Sequence, residues 1–236
     1  MAALAQMLES GTPASLLDVG CGTGTWLRAA LNVGIEDVFG VDGKEIPAEK
    51  LLIPGNLIAQ GDLTQPIDLG RRFDVVLCLE VAEHLDERFA GVLVGNLTRH
   101  ASFVIFSAAC PGQPGQHHVN CKWPDYWQAL FNASGFVCSD EIRWHLWSDR
   151  RVEPWYRQNM FFARFNPNHA GKEARLKPVI HPDMRPFEAW TELNSTQSQH
   201  IEKGGMPTIW YFDMLIHAIL GKVRRKFALH AKATVK

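Results

Sequence analysis

The sequence predicts an α/β fold, a doubly wound and mostly parallel seven-stranded sheet followed by a C-terminal helical extension. Three observations carry this. An apolar run at 16–19 leads into Gly20, Gly22 and Gly24 and then a helical pattern from Thr25, the strand–turn–helix start of a nucleotide-binding unit. Short apolar runs then alternate with helical patterns along residues 15–165. The run at 73–79 is nearly all apolar, as a strand covered on both faces must be.

A chain of 236 residues has room for one α/β domain, expected at 1–166, and an extension at 167–236. The formal net charge of -1 gives no general attraction to nucleic acid. Five cysteines, with no C-x-x-C pair, point to reduced thiols and a cytoplasmic setting, and away from disulfides or structural zinc. The N-terminus reads as no signal peptide, and the longest apolar run, at 209–220, is interrupted by Asp213 and His217 and is too short to span a bilayer.

Taken in order, residues 2–8 read as a short helix ended by Gly11 and Pro13. The next strands are expected at 37–41, ending on Asp42, at 57–60, followed by Gly61-Asp62-Leu63, and at 73–79, running into Glu80-Val81-Ala82-Glu83-His84. A fifth strand at 103–107 leads into a loop fixed by Pro111, Gly112, Pro114 and Gly115 and carrying His117 and His118. A helix begins near Pro124, a residue suited to the first helical turn. Strands at 136–142 and 160–165 close the sheet as a hairpin. Residues 166–208 read as an irregular lid or linker. A last helix carries Ile209, Phe212, Ile216, Leu220, Val223 and Phe227 on one face, and its basic end could meet a membrane surface, its own domain or a second copy in a homodimer.

The glycine run lacks the sixth-position glycine of a dinucleotide fingerprint, since Thr25 stands there. Its pattern, acidic-x-G-x-G-x-G from Asp18 to Gly24, resembles motif I of the class I S-adenosylmethionine-dependent methyltransferases. That resemblance implies a Rossmann-like methyltransferase domain, with Asp18, Gly20, Gly22 and Gly24 at the cofactor. It also implies Asp42 on the ribose hydroxyls, Asp62 and the Leu63 N–H on the adenine, and Glu80 in the cofactor pocket. Glu-x-x-Glu-His after the fourth strand resembles small-molecule methyltransferases of this class, particularly those methylating hydroxyls.

Methyl transfer to a hydroxyl needs an aligned acceptor, exclusion of water and a destination for the proton. Glu80, Glu83, His84, His117 and His118 are the candidates for the last task. Positions 80, 83 and 84, read as strand end and first helical turn, would share one face. Two readings stand. In one, His118 or His117 is the base, assisted by Glu80 and His84. In the other, Glu80, Glu83, His84 and His118 hold a divalent Mg, Mn or Fe ion, a pattern that resembles the small-RNA 2′-O-methyltransferases of the Hen family. The group Trp123, Tyr126, Trp127, Trp144, Trp147, Trp155 and Tyr156 offers platforms for a ring. The expected function is therefore O-methylation of a small hydroxylated acceptor, preferably a sugar, with no nucleic-acid partner. A metal-dependent RNA 2′-O-methyltransferase and a non-catalytic cofactor-binding partner protein are the alternatives.

Overall fold

The computed structural model describes residues 11 and 13–184, and beyond them residues 203, 205, 207–209, 211, 212 and 215. The strands are β1 (Ser15–Val19), β2 (Asp37–Asp42), β3 (Ile58–Gln60), β4 (Val75–Leu79), β5 (Phe103–Ser107), β6 (Phe136–Ser139) and β7 (Phe161–Phe165). They form one sheet in the order β3-β2-β1-β4-β5-β7-β6. Strands β3, β2, β1, β4 and β5 run parallel, and β7 is antiparallel to both β5 and β6. The helices are α1 (Thr25–Asn32), α2 (Ala90–His100), α3 (Pro124–Ala133), α4 (Glu141–Leu146) and α5 (Pro154–Asn159).

Alternation along the strands explains the two cores. Leu17, Val76, Cys78, Val104 and Phe106 point to the side packed by Leu93, Leu97, Trp127 and Phe131 of α2 and α3. Leu16, Val75, Leu77 and Ile105 point to the other, against Leu27, Ile142 and Leu146 of α1 and α4. Side chains at 0% exposure on both faces of β4 and β5 each contribute about 1.5–3 kcal/mol of burial.

The differences from the sequence reading have local causes. The fourth strand starts at Val75, because the Phe73 and Asp74 N–H groups donate to the His100 carbonyl and the Ser15 hydroxyl instead of a strand ladder. The sixth strand stops at Ser139, and the expected strand residue Ile142 lies in α4, where Ile142 and Leu146, one turn apart, are both buried. Glu83 and His84 are not in the first turn of a helix. They lie in a 3-10 turn, Ala82–His84, followed by extended Leu85, and α2 begins only at Ala90.

Contacts divide the chain into residues 1–188 and residues 189–236. Within the first unit the irregular stretch after β7 is packed, with Leu176, His181 and Met184 buried. In the second, Thr208, Ile209, Tyr211, Phe212 and Leu215 are helical, and Ile209, Phe212 and Leu215 are exposed. The expected N-terminal helix at 2–8 and most of the C-terminal amphipathic helix lie outside the described residues. Among the described residues no helix is long and apolar enough to cross a membrane.

Candidate active site

The carboxyl ends of the parallel strands carry the site, as the open α/β sheet dictates. After β1 the chain turns through Gly20, Gly22 and Gly24, with φ of 82°, 50° and 83°. These left-handed angles require glycine. The Gly20 N–H donates to the Val41 carbonyl at 2.7 Å, which ties the turn to β2. A side chain at Gly20 would strike Val81, a Cβ falling 2.4 Å from its Cγ2, whereas at Gly22 it would meet nothing within 4 Å. Space is thus kept open above the turn.

Asp42, at the end of β2, braces the same turn. Its Oδ2 accepts the Gly22 N–H and its Oδ1 the Lys44 N–H, both at 2.8 Å. The remaining lone pairs suit vicinal hydroxyls. At Asp62, Oδ1 accepts the N–H and hydroxyl of Thr64, and these bonds hold its pKa below the usual carboxylate value. A cleft of about 720 Å³ is lined by Gly20, Asp42, Asp62, Leu63, Glu80, His84 and His117, among others. That volume falls in the range of small-molecule sites. Asp18, Gly22 and Gly24 are not in this lining. Asp18 is 2% exposed, and its Oδ2 has no hydrogen-bond partner. Burial, with Asp42 nearby, pushes its pKa up to about 7.

Glu80 leaves β4 in a left-handed conformation, φ 56°, uncommon for a residue with a side chain. Its N–H donates to the Ser107 carbonyl at 3.0 Å. Its carboxylate accepts Gln113 Nε2 at 2.7 Å and Asn159 Nδ2 at 3.2 Å. Beside it opens a second cavity of about 230 Å³, lined by Glu80, Glu83, His84, Gln113, Pro114, His118, Trp155 and Met184. Glu80 and His84 line both spaces, so the two meet there.

The loop after β5 is pinned to this corner, because the Val119 and Asn120 N–H groups both donate to the Glu83 carbonyl. Glu83 is 1% exposed and neither carboxylate oxygen has a partner. Burial, reinforced by Glu80, pushes its pKa up to about 8. His84 Nδ1 lies 3.3 Å from the His117 carbonyl, and His118 Nδ1 lies 3.3 Å from the Gln113 carbonyl. A carbonyl only accepts, so these contacts assign Nδ1–H to both rings and leave both Nε2 lone pairs free. His118 Nε2 lies 4.0 Å from Glu83 Oε1. Burial, with His84 adding to it, lowers the His118 pKa and so favours its neutral ring.

Glu83, His84 and His118 offer ligand atoms within 4.8 Å of one another. The donor set fits a divalent transition ion, with two imidazole nitrogens oriented by carbonyls and a buried carboxylate lacking any other partner. Glu80, expected as a fourth ligand, is outside this group, and its carboxylate accepts from Gln113 and Asn159 instead. His117 lines the larger cleft and not the smaller cavity. Of the aromatic group, Trp155 lines the smaller cavity, Trp127 is core, and Trp144 and Trp147 pack on each other. Sequence reading missed Gln113 and Met184 as lining and Asn159 as the anchor of Glu80. Gln113 lies in the loop that carries His117 and His118, and Asn159 follows Trp155 and Tyr156 closely, while Met184 carried no signal.

A profile described as a methyltransferase domain matches residues 1–138. Among solved structures, DesVI of Streptomyces venezuelae is 17% identical with a TM-score of 0.55, over 70% of this chain and 89% of that one. The magnesium protoporphyrin IX methyltransferase ChlM of Synechocystis PCC 6803, with bound SAH, is 21% identical with a TM-score of 0.51, over 70% and 80%. The sugar N-methyltransferase KedS8 of Streptoalloteichus sp is 19% identical with a TM-score of 0.51, over 69% and 84%. No curated protein sequence matches the chain.

Proposed function

The chain belongs to the methyltransferase domain family and is an S-adenosylmethionine-dependent enzyme, and we propose that it methylates a hydroxyl of a small acceptor, a sugar or a related natural-product intermediate. S-adenosylmethionine supplies an electrophilic methyl group. The residues that would hold it are the Gly20–Gly24 turn, Asp42 for the ribose, and Asp62 with Leu63 for the adenine, a reading supported by the cleft that Gly20, Asp42, Asp62 and Leu63 share. The acceptor then occupies the smaller cavity, and its hydroxyl meets the methyl where the two spaces join at Glu80 and His84.

The observation that carries the reading is the pair of histidines whose Nδ1 atoms face loop carbonyls beside the partnerless Glu83. A neutral His118 with its Nε2 free is a base for a hydroxyl proton. Glu83, His84 and His118 would hold a divalent ion, which would lower the pKa of a bound hydroxyl. Glu80 keeps its orientation through Gln113 and Asn159 and places a carboxylate where the two cavities meet.

The test is transfer of labelled methyl from S-adenosylmethionine to matched sugars bearing a free hydroxyl, an O-methyl group or an amine at one position. It is run after EDTA treatment and again with Mg²⁺, Mn²⁺ or Fe²⁺ restored. Labelling confined to free hydroxyls is expected, and labelling of the amines alone would overturn O-methylation. Restoration by metal, lost in Glu83→Ala, would assign the ion, and EDTA-resistant activity would leave His118 as the base. RNA 2′-O-methylation would draw on the same three ligands, but the chain lacks the basic excess that RNA binding favours.

A further inference from the structure

The stretch Trp155-Tyr156-Arg157-Gln158-Asn159 forms most of α5, and each of its residues is used. Tyr156 packs edge-on against Trp26 with ring centroids 5.4 Å apart, which seats the helix on α1. Asn159 holds Glu80. Arg157 Nη2 donates to Asp183 at 2.8 Å, and Gln158 Oε1 accepts the His181 N–H at 2.7 Å. The last two bonds reach an irregular strap, residues 173–184.

That strap is anchored along its length. Glu173 Oε1 accepts from Gln128 Nε2, Asn132 Nδ2 and the Cys138 N–H, at 3.1, 2.6 and 3.1 Å. Burial pushes the Glu173 carboxyl up, but these bonds outweigh it and bring its pKa to about 2. The Leu176 N–H donates to Gln128 Oε1 at 2.7 Å, and Arg143 Nη1 donates to the Lys177 carbonyl at 3.1 Å. The strap then brings Met184 to the wall of the smaller cavity, the one residue of 173–184 in its lining.

The cavity is two-sided in its chemistry. Glu80, Glu83, His84, Gln113 and His118 supply polar groups, while Pro114, Trp155 and Met184 are apolar. Its volume of about 230 Å³ is below the range for drug-sized ligands, so it suits one ring rather than two. A ring with hydroxyls along its edge and C–H bonds across its face matches both sides, and an indole is the side chain that packs best on such a face.

We propose that the acceptor is a single hydroxylated sugar ring, its hydroxyl edge on Glu83, His84 and His118 and its C–H face on Trp155, with Met184 setting the size limit. This rests on the methyltransferase reading above. Trp155 and Met184 are specificity-determining residues, supplied by α5 and the strap.

The test uses the full chain with S-adenosylhomocysteine and Mg²⁺ present. Saturation-transfer NMR is recorded on a panel of methyl hexopyranosides and methyl pentofuranosides. In the native protein, saturation is expected on the C–H protons of one ring face. Trp155→Ala should reduce it at least fivefold, Trp155→Phe should retain it, and Met184→Trp should abolish it by filling the cavity. Affinity for S-adenosylhomocysteine, measured by calorimetry, should stay within twofold in all variants, since neither residue lines the cofactor cleft. Saturation unchanged in both Trp155→Ala and Met184→Trp would overturn the assignment. So would absence of saturation from every glycoside while S-adenosylhomocysteine binds. If the native chain fails to bind S-adenosylhomocysteine, the methyltransferase reading falls and the acceptor assignment falls with it.

Discussion

Replacing Asp18 by Asn should remove one defined share of the chain's pH-dependent stability, the share set by the carboxyl buried under the glycine turn. Asp18 ends a strand core, is 2% exposed and has one oxygen without a partner. Burial first, and Asp42 second, raise its pKa from 3.8 to about 7. A carboxyl whose folded pKa lies above its unfolded value binds its proton more tightly when folded. Its contribution is therefore complete below pH 3.8 and is lost as pH rises through about 7. Three pKa units correspond to about 4 kcal/mol between the limits. Urea denaturation at pH 5 and pH 8.5, without cofactor, reads this. The native chain should lose about 3 kcal/mol across that interval from this group, since its unfolded form is already mostly ionised at pH 5 and only the two pH units up to about 7 count. Asp18→Asn keeps the shape and cannot ionise, so its slope should be flatter and it should be the more stable protein at pH 8.5. An equal slope in the two proteins would refute the reasoning.

The turn itself can be tested by Gly20→Ala, where the new Cβ would sit 2.4 Å from Val81 Cγ2 at a left-handed φ. A loss of about 1–3 kcal/mol in denaturant midpoints is expected, with S-adenosylhomocysteine binding abolished in calorimetry. His118→Ala should lower methyl transfer by roughly a hundredfold to ten-thousandfold. His117→Ala should leave the rate within a fewfold and change cofactor affinity instead, because His117 lines the larger cleft. A reversed pattern in steady-state kinetics would exchange their assignments. Asn159→Leu removes a donor to Glu80 at 3.2 Å. Its kcat should fall while S-adenosylhomocysteine affinity holds, and recovery in Asn159→Gln would mark a positioning role.

Local sequence was enough for the sheet and for bringing Gly20, Asp42, Asp62 and Leu63 to one cleft. The strands are short, mostly apolar runs, and the glycines at alternate positions allow the left-handed turn that follows the first of them. Gly20, Asp42, Asp62 and Leu63 fall in one cleft because each closes a parallel strand or the turn just after it, and parallel strands end on one edge. Where propensity and packing competed, the sequence misled. Ile142 reads as strand but is buried from a helix, and Glu80, Glu83 and His84 read as one helical face although Glu80 sits at φ 56°.

The smaller cavity was decided by the tertiary structure alone. Glu80 is held by Asn159, 79 residues away, and Gln113, 33 residues away, and no local pattern announces such a bond. His118 rather than His117 enters the smaller cavity because Glu83's carbonyl fixes the loop register at Val119 and Asn120. The stretch after β7 is irregular and polar in sequence, so periodicity could say nothing about it. It is ordered through side chains of α3, α4 and α5 that accept or donate to its backbone and to Glu173. Strand and turn propensities are properties of neighbouring residues and can be read along the chain. A cavity wall made by residues 80, 118, 155 and 184 exists only once the sheet has brought them together.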